Sequence, residues 1–135
     1  TTDHIDQSLD TGADFIVTPG TTPTLARHLI SKGAAAIPGV STTSEVVAML
    51  EYGFDFLKFF PAESNGGVKA LKDFSGPLPQ VSFMPTGGIK ENMVQSYLGL
   101  PNVVAVGGSW ITDKTSLAKK DWKAITANAG RCALI

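Results

Sequence analysis

The sequence is poor in the residues that support disulfide, metal and nucleic-acid chemistry. Its 135 residues include one cysteine, Cys132, so no internal disulfide can form, and we interpret this residue as a small apolar side chain. The two histidines, His4 and His28, lack the spacing of a zinc site. With 11 basic and 12 acidic residues, the net charge of −1 leaves no basic stripe for nucleic acid. We therefore expect no metal, no cofactor and no nucleic-acid partner.

Long apolar runs are missing as well. The longest, such as residues 34–40 and 103–106, are too short to cross a bilayer, and no signal peptide precedes them. The single cysteine suits a reducing compartment. We therefore expect a cytoplasmic protein without a membrane partner. A hydrophobic content of 43% and a charged content of 17% are ordinary for one globular domain of this length.

A regular repeat of short apolar runs organises the chain. The runs cover residues 14–20, 34–40, 54–63, 81–89 and 102–110, and each carries proline or glycine near its end. Their matched positions Phe15, Ala35, Phe56, Phe83 and Val104 are 20, 21, 27 and 21 residues apart. Segments with helical spacing and capping residues lie between them. The pattern predicts alternating strands and helices around a parallel sheet.

Helix boundaries can also be predicted from local residues. One helix should end at Gly33, and a second should start with the capping residues 42–45 and close at Gly53. We expect a single C-terminal helix to carry Lys119, Lys120 and Lys123 on a solvated face.

The positions of the glycines separate two possible architectures. A doubly wound sheet that binds dinucleotides carries G-x-G-x-x-G after its first strand, and this pattern does not occur here. Glycine pairs instead follow the expected strands within the last two runs, as in (β/α)8 barrels that bind phosphate after strands seven and eight. The sequence therefore favours an α/β TIM barrel, with this chain covering about strands 4 to 8. We expect residues 1–135 to form a single partial barrel domain that lacks the first three βα units.

Lys58 is the candidate catalytic residue, within the run FDFLKFFPAE. Side chains alternate along a strand, so Phe56, Lys58 and Phe60 share one face, and Pro61 ends the strand. An apolar environment disfavours the ammonium form, and a neutral amine can form a Schiff base with a carbonyl. The alternative is a lysine on an edge strand whose ammonium reaches water. Glu63 could reach the mouth of the site, but we interpret it as a first-turn acid of the next helix.

Two candidate phosphate loops follow the last two runs. Glycines allow backbone N–H groups to approach an anion closely, and a helix N-terminus adds positive potential. Loops on consecutive βα units lie side by side, so we expect one phosphate pocket that opens on the same face as Lys58. Its candidate residues are Thr86, Gly87, Gly88, Gly107, Gly108 and Ser109.

These residues resemble the class I 2-keto-3-deoxy-6-phosphogluconate (KDPG) aldolases and the related 4-hydroxy-2-oxoglutarate aldolases. The resemblance is carried by GADFIVTPG, IPGVSTTSE, FLKFFPAESNGGVKALK, PTGGI and VGGSWI, in this order. It implies a homotrimeric (β/α)8 barrel that cleaves a phosphorylated keto-sugar acid to pyruvate and glyceraldehyde 3-phosphate. Lys58 would be the Schiff-base lysine, Thr86 would contact substrate, and the four loop glycines with Ser109 would hold phosphate. Pro19 and Phe60 would line the site.

The chain also departs from this family. The family has a general acid/base glutamate in an E-x-T-x-R-like segment and a carboxylate-binding threonine in a G-A-G-T segment, and neither segment occurs here. We therefore expect poor or no turnover from these 135 residues alone. Two other functions stay open. One is a phosphosugar isomerase or epimerase that needs no covalent lysine, and the other is a non-catalytic module that binds phosphorylated metabolites.

Overall fold

The computed structural model describes residues 1–132 as alternating helices and short strands. The helices are α1 (Thr2–Asp10), α2 (Pro23–Ser31), α3 (Thr43–Glu51), α4 (Gly67–Phe74), α5 (Val94–Leu98), α6 (Lys114–Lys119) and α7 (Trp122–Cys132). The strands are β1 (Ile16–Val17), β2 (Ala36–Ile37), β3 (Gly39–Val40), β4 (Phe56–Phe59) and β5 (Ser82–Pro85). Short 3-10 helices cover Glu63–Asn65 and Glu91–Met93.

All of the paired strands are parallel and follow each other in chain order. β1 pairs with β2, and β3, β4 and β5 pair in sequence. β2 and β3 belong to one apolar run that Pro38 interrupts, because proline has no N–H to donate to a ladder. The carbonyl of Pro38 still accepts a hydrogen bond from Lys58 N at 2.8 Å. The order never reverses, as it would at the switch point of a doubly wound sheet, and this agrees with the predicted barrel.

The fifth predicted strand, residues 102–110, is not continuous, which corrects the expectation from the repeat. It pairs with β5 only through the isolated bridges Phe83–Val103 and Thr86–Gly107. Phe83 N donates to Asn102 O and Val104 N donates to Phe83 O, but the next donor in the ladder would be Pro85, which has no N–H. Gly107 N, rather than residue 106, then donates to Pro85 O at 3.0 Å. Pro85 therefore produces a one-residue bulge just before the second glycine pair.

The sheet separates a buried face from an open one. Leu57, Phe59 and Phe83 are completely buried under the helices, where Phe59 packs edge-on against Phe83. Lys58 points to the opposite face, as the alternation predicted. That face includes Val104, whose relative solvent exposure is 57% in the described part of the chain.

The two predicted helix boundaries are confirmed, but the C-terminal helix is not. Gly33 and Gly53 follow α2 and α3 with positive φ, and Thr42 and Glu45 form a capping box at the start of α3. The expected single C-terminal helix is divided into α6 and α7, because Lys120 takes the left-handed conformation with φ 53°. None of the helices within residues 1–132 has the length and hydropathy needed to cross a membrane.

Candidate active site

Lys58 lies on the open face near the carboxyl end of β4. Its strand neighbours in register are Gly39 on β3 and Met84 on β5, neither of which carries a charge. Its Nζ lies 4.6 Å from the centroid of the Phe60 ring. Burial in these apolar surroundings lowers the pKa of Lys58 below the ordinary lysine value. At a given pH, a larger fraction of the molecules therefore carries Lys58 as the neutral, nucleophilic amine.

Phe60 connects Lys58 with a cavity at the carboxyl ends of the strands. The ring lines this cavity of about 770 Å³, which Lys58 itself does not line. Gly87 packs directly against the same ring, since a Cβ at position 87 would lie 3.0 Å from Phe60 Cε2. The predicted catalytic lysine and the first predicted phosphate loop therefore both lie against one aromatic side chain.

The two glycine loops lie side by side at the ends of their strands, as predicted. Thr86 and Gly107 form a parallel bridge, and a Cβ at position 107 would come within 2.6 Å of Thr86 Cγ2. A side chain at position 107 would therefore push the two loops apart. Only glycine permits this close approach without a shift of the backbone or of Thr86.

The cavity presents polar groups that have no partner in the described part of the chain. The hydroxyl of Thr86 is buried and makes no hydrogen bond there. The N–H groups of Gly108 and Ser109 donate to no protein acceptor among residues 1–132. The ring of Trp110 occupies the space where a side chain on Gly108 would lie, so it covers one wall of the loop. Unpartnered donors beside such a cavity suit an anion with several oxygens.

Sequence reasoning missed two cations and one aromatic residue of this cavity. Lys90, Lys114 and Trp110 line it together with the glycine loops. Lys90 follows PTGGI directly and Trp110 belongs to GGSW, so their positions next to the motifs were an available signal. Lys114 starts α6, and no local pattern brings it to the loops. Asp113 also lines the cavity, but its carboxylate accepts hydrogen bonds from Thr115 N and from the backbone and hydroxyl of Ser116.

Two residues considered from the sequence lie apart from this cavity. Pro19 follows β1 and lines a separate cavity of about 300 Å³ near α1, so its role at the site stays a prediction. Glu63 begins a 3-10 helix, in agreement with its interpretation as a first-turn acid. Its carboxylate accepts a hydrogen bond from the hydroxyl of Tyr97 rather than reaching Lys58.

No metal-binding arrangement accompanies these residues in the part of the chain that the structure describes. Residues 1–132 contain no group of three or more His, Cys, Asp or Glu side chains that could hold an ion.

Comparison with known proteins identifies the family. Residues 1–128 match the aldolase family described as KDPG and KHG aldolase. The chain is 44% identical over 111 residues to the 2-dehydro-3-deoxy-phosphogluconate aldolase of Pseudomonas aeruginosa, a match that covers 82% of this chain. The chain belongs to the KDPG and KHG aldolase family. The resemblance predicted from the motifs is confirmed.

Solved structures of KDPG aldolases share the fold. The enzyme of Legionella pneumophila, captured with pyruvate as a covalent carbinolamine intermediate, superposes with a TM-score of 0.95 at 39% identity over 98% of this chain and 64% of that chain. The Zymomonas mobilis ZM4 aldolase with 3-phosphoglycerate has a TM-score of 0.84 at 40% identity, over 96% and 63% of the two chains. The fold is therefore the α/β fold of the TIM-barrel aldolases, as predicted.

The match covers only part of each relative. The alignment spans 50% of the Pseudomonas aeruginosa aldolase and 55% of the KHG/KDPG aldolase of Escherichia coli K12. The chain thus spans about half the length of the curated relatives it matches.

Proposed function

We propose that the protein is a Schiff-base aldolase that cleaves KDPG to pyruvate and glyceraldehyde 3-phosphate. Cleavage of 4-hydroxy-2-oxoglutarate to pyruvate and glyoxylate is the second expected reaction. The observation that carries the proposal is the position of Lys58. Its amine lies on the open face, has a pKa lowered by burial, and contacts the ring that also lines the cavity of the two glycine loops.

The chemistry follows from a neutral lysine next to a bound keto acid. The Nζ lone pair attacks the C2 carbonyl, and the resulting carbinolamine loses water to give an iminium ion. Cleavage of the C3–C4 bond sends its electron pair into the iminium, and the C4 hydroxyl loses its proton as the aldehyde leaves. The enamine takes a proton at C3, and hydrolysis of the iminium releases pyruvate and restores Lys58.

The two glycine loops would hold the phosphate group of the substrate. The unpartnered N–H groups of Gly108 and Ser109 are suitable donors for phosphate oxygens, and Thr86 supplies a hydroxyl on the same side of the cavity. Lys90 and Lys114 add positive charge at this end. Phe60, between the loops and Lys58, would line the path along which the keto acid extends. Pro19 keeps its predicted role as a lining residue.

The proposal extends to the rest of the catalytic unit. Residues 1–135 would form about strands 4 to 8 of the barrel, and the proton-transfer glutamate and carboxylate-binding threonine would lie outside them. The span of about half of each relative supports this division. The complete protein would assemble as a homotrimer in the cytoplasm.

The test measures pyruvate release from both substrates by the full-length gene product that contains these residues. Lys58→Met, which removes the amine while keeping a flexible apolar side chain, is expected to reduce pyruvate release to background. Lys69→Met is the matched control, because Lys69 is 85% exposed and pairs with Asp73 on the surface of α4. Full pyruvate release by Lys58→Met would contradict a covalent role for Lys58. Isomerisation or epimerisation of a phosphosugar that persists in Lys58→Met, without pyruvate release by the parent, would contradict the aldolase and favour that alternative. Phosphate binding without turnover would also contradict the aldolase and favour a binding module.

A further inference from the structure

Tyr97 and Glu63 form a polar contact beneath the first glycine loop, outside the cavity. Tyr97 belongs to α5, its side chain is completely buried, and its hydroxyl donates to Glu63 Oε1 across 34 residues of sequence. Burial raises the pKa of Tyr97, with the carboxylate acting in the same direction, so the phenol keeps its proton and remains the donor. Glu63 is itself an exposed residue, and this hydrogen bond holds its carboxylate against α5.

Glu63 holds the loop at two further points. Its backbone N–H donates to Gly87 O at 3.1 Å, next to the bond of 2.8 Å from Ala62 N to Thr86 O. Its side-chain stem lies under Gly88, where a Cβ would come within 2.8 Å of Glu63 Cβ. Gly88 has φ +81°, a conformation that favours glycine in any case. The side chain of Glu63 therefore occupies the space directly beneath the turn.

The same pair, together with a φ of +56°, favours glycine at position 67, the second glycine of NGGVKAL. A Cβ on Gly67 would lie 3.0 Å from the Tyr97 hydroxyl and 3.1 Å from Glu63 Oε1. The start of α4, the 3-10 helix after β4 and the helix α5 thus meet at one hydrogen bond. The loop between β5 and α5 is fastened to β4 at its start and, through Tyr97, at the helix that follows it.

We propose that Glu63 and Tyr97 are positioning residues that fix the Thr86–Gly88 loop for the phosphate end of the substrate. They contact neither the cavity nor Lys58, so they act through the loop alone. The identity of the substrate rests on the proposed function. The effect of the two residues on phosphate binding does not depend on turnover. Loss of the hydrogen bond lets the loop move, which weakens binding of phosphate and leaves the carbonyl chemistry at Lys58 unchanged.

The test compares Tyr97→Phe with the parent in the full-length gene product. A hydrogen bond to a charged group is worth about 1.5–3 kcal/mol, so we expect KM for the phosphorylated substrate to rise about 10- to 150-fold. For 4-hydroxy-2-oxoglutarate, which has no phosphate, both kcat and KM should stay within about twofold of the parent values. This is less than the change expected from the loss of one hydrogen bond. Tyr52→Phe is the matched control, since it removes a hydroxyl that accepts from Arg27 at 3.0 Å on the outer helices. Glu63→Gln keeps a neutral acceptor for Tyr97, so its KM for the phosphorylated substrate should lie between those of the parent and Tyr97→Phe.

The affinity for inorganic phosphate, measured by titration calorimetry, separates this role from the proposed function. Weaker phosphate binding in Tyr97→Phe than in the parent supports the positioning role even if neither keto acid is cleaved, an outcome that would refute only the aldolase activity. Equal phosphate affinity in parent and Tyr97→Phe, or an equal rise of KM for both substrates, overturns the positioning role. If Tyr97→Phe does not fold, Glu63→Ala replaces it, because this change removes the acceptor and keeps the aromatic ring.

Discussion

Replacing Gly107 by alanine tests how closely the two phosphate loops must approach. The new methyl carbon would lie 2.6 Å from Thr86 Cγ2, whereas two carbon atoms prefer a separation of about 3.5–4.0 Å. The clash can be relieved by a shift of the second loop of about 1 Å. It can also be relieved by rotation of Thr86, which turns its buried, unpartnered hydroxyl out of place. Both responses change the surface that would face a phosphate group.

The size of the effect follows from the cost of overpacking. An extra methyl group in a packed site costs about 1–3 kcal/mol. If the strain is released by separation of the loops, the dissociation constant for inorganic phosphate should rise about 5- to 150-fold. The melting temperature should fall at the same time, because the bond from Gly107 N to Pro85 O and the Thr86–Gly107 bridge weaken together.

Titration calorimetry and thermal unfolding of the same preparations measure both effects. Gly76→Ala is the matched control, since a Cβ there meets nothing within 4 Å and the residue has no positive φ. It should leave phosphate affinity unchanged. Equal phosphate affinity of Gly107→Ala and Gly76→Ala would refute the assignment of the two loops to one phosphate pocket.

Two other predictions concern the charges of the site. Because burial lowers the pKa of Lys58, the rate of Schiff-base formation with pyruvate should rise with pH and level off below pH 10.5, the ordinary lysine value. A rate that levels off only at or above pH 10.5 would contradict the apolar environment of Lys58. Between the lowered pKa of Lys58 in the folded chain and the value of 10.5 in the unfolded chain, the unfolded chain binds the additional proton. Stability should therefore rise with pH in that window, and Lys58→Met should remove this part of the dependence. The double variant Lys90→Met/Lys114→Met should weaken phosphate binding about 5- to 30-fold at low ionic strength, since each charge contributes about 1 kcal/mol. The difference in affinity from the parent should shrink with added salt. An equal loss at high and low salt would show that these lysines do not act through their charge.

Much of the fold follows from local patterns. The alternation in β4 placed Lys58 and Leu57 on opposite faces, and the caps at Thr42 and Gly53 marked α3. These features depend on neighbouring residues, which is why a single sequence reveals them.

Other features depend on partners distant in sequence or on single backbone groups. The bulge near Gly107 arises because Pro85, on the neighbouring strand, has no N–H to donate. Lys120 divides the C-terminal helix by adopting a left-handed conformation that its residue type does not favour.

The candidate site shows the same division between local and distant signals. Lys58 and the glycine pairs were predicted from their residue types and their places at strand ends, and their roles stay predictions. The partnership of Glu63 with Tyr97 was missed, because a buried tyrosine in α5 carries no sign of the carboxylate it meets. Lys114 lines the cavity because the chain after Trp110 turns back toward the loops, and no local sequence pattern predicts that course.

Borohydride reduction in the presence of pyruvate, followed by peptide mass spectrometry of the full-length gene product, tests the central claim most directly. We expect one reduced pyruvyl adduct, on Lys58, which depends on pyruvate and is absent from Lys58→Met. The Lys69→Met control should be labelled like the parent, because Lys69 lies on the surface of α4. Absence of an adduct from the active protein, or an adduct on another lysine, would contradict the assignment of Lys58 as the Schiff-base residue.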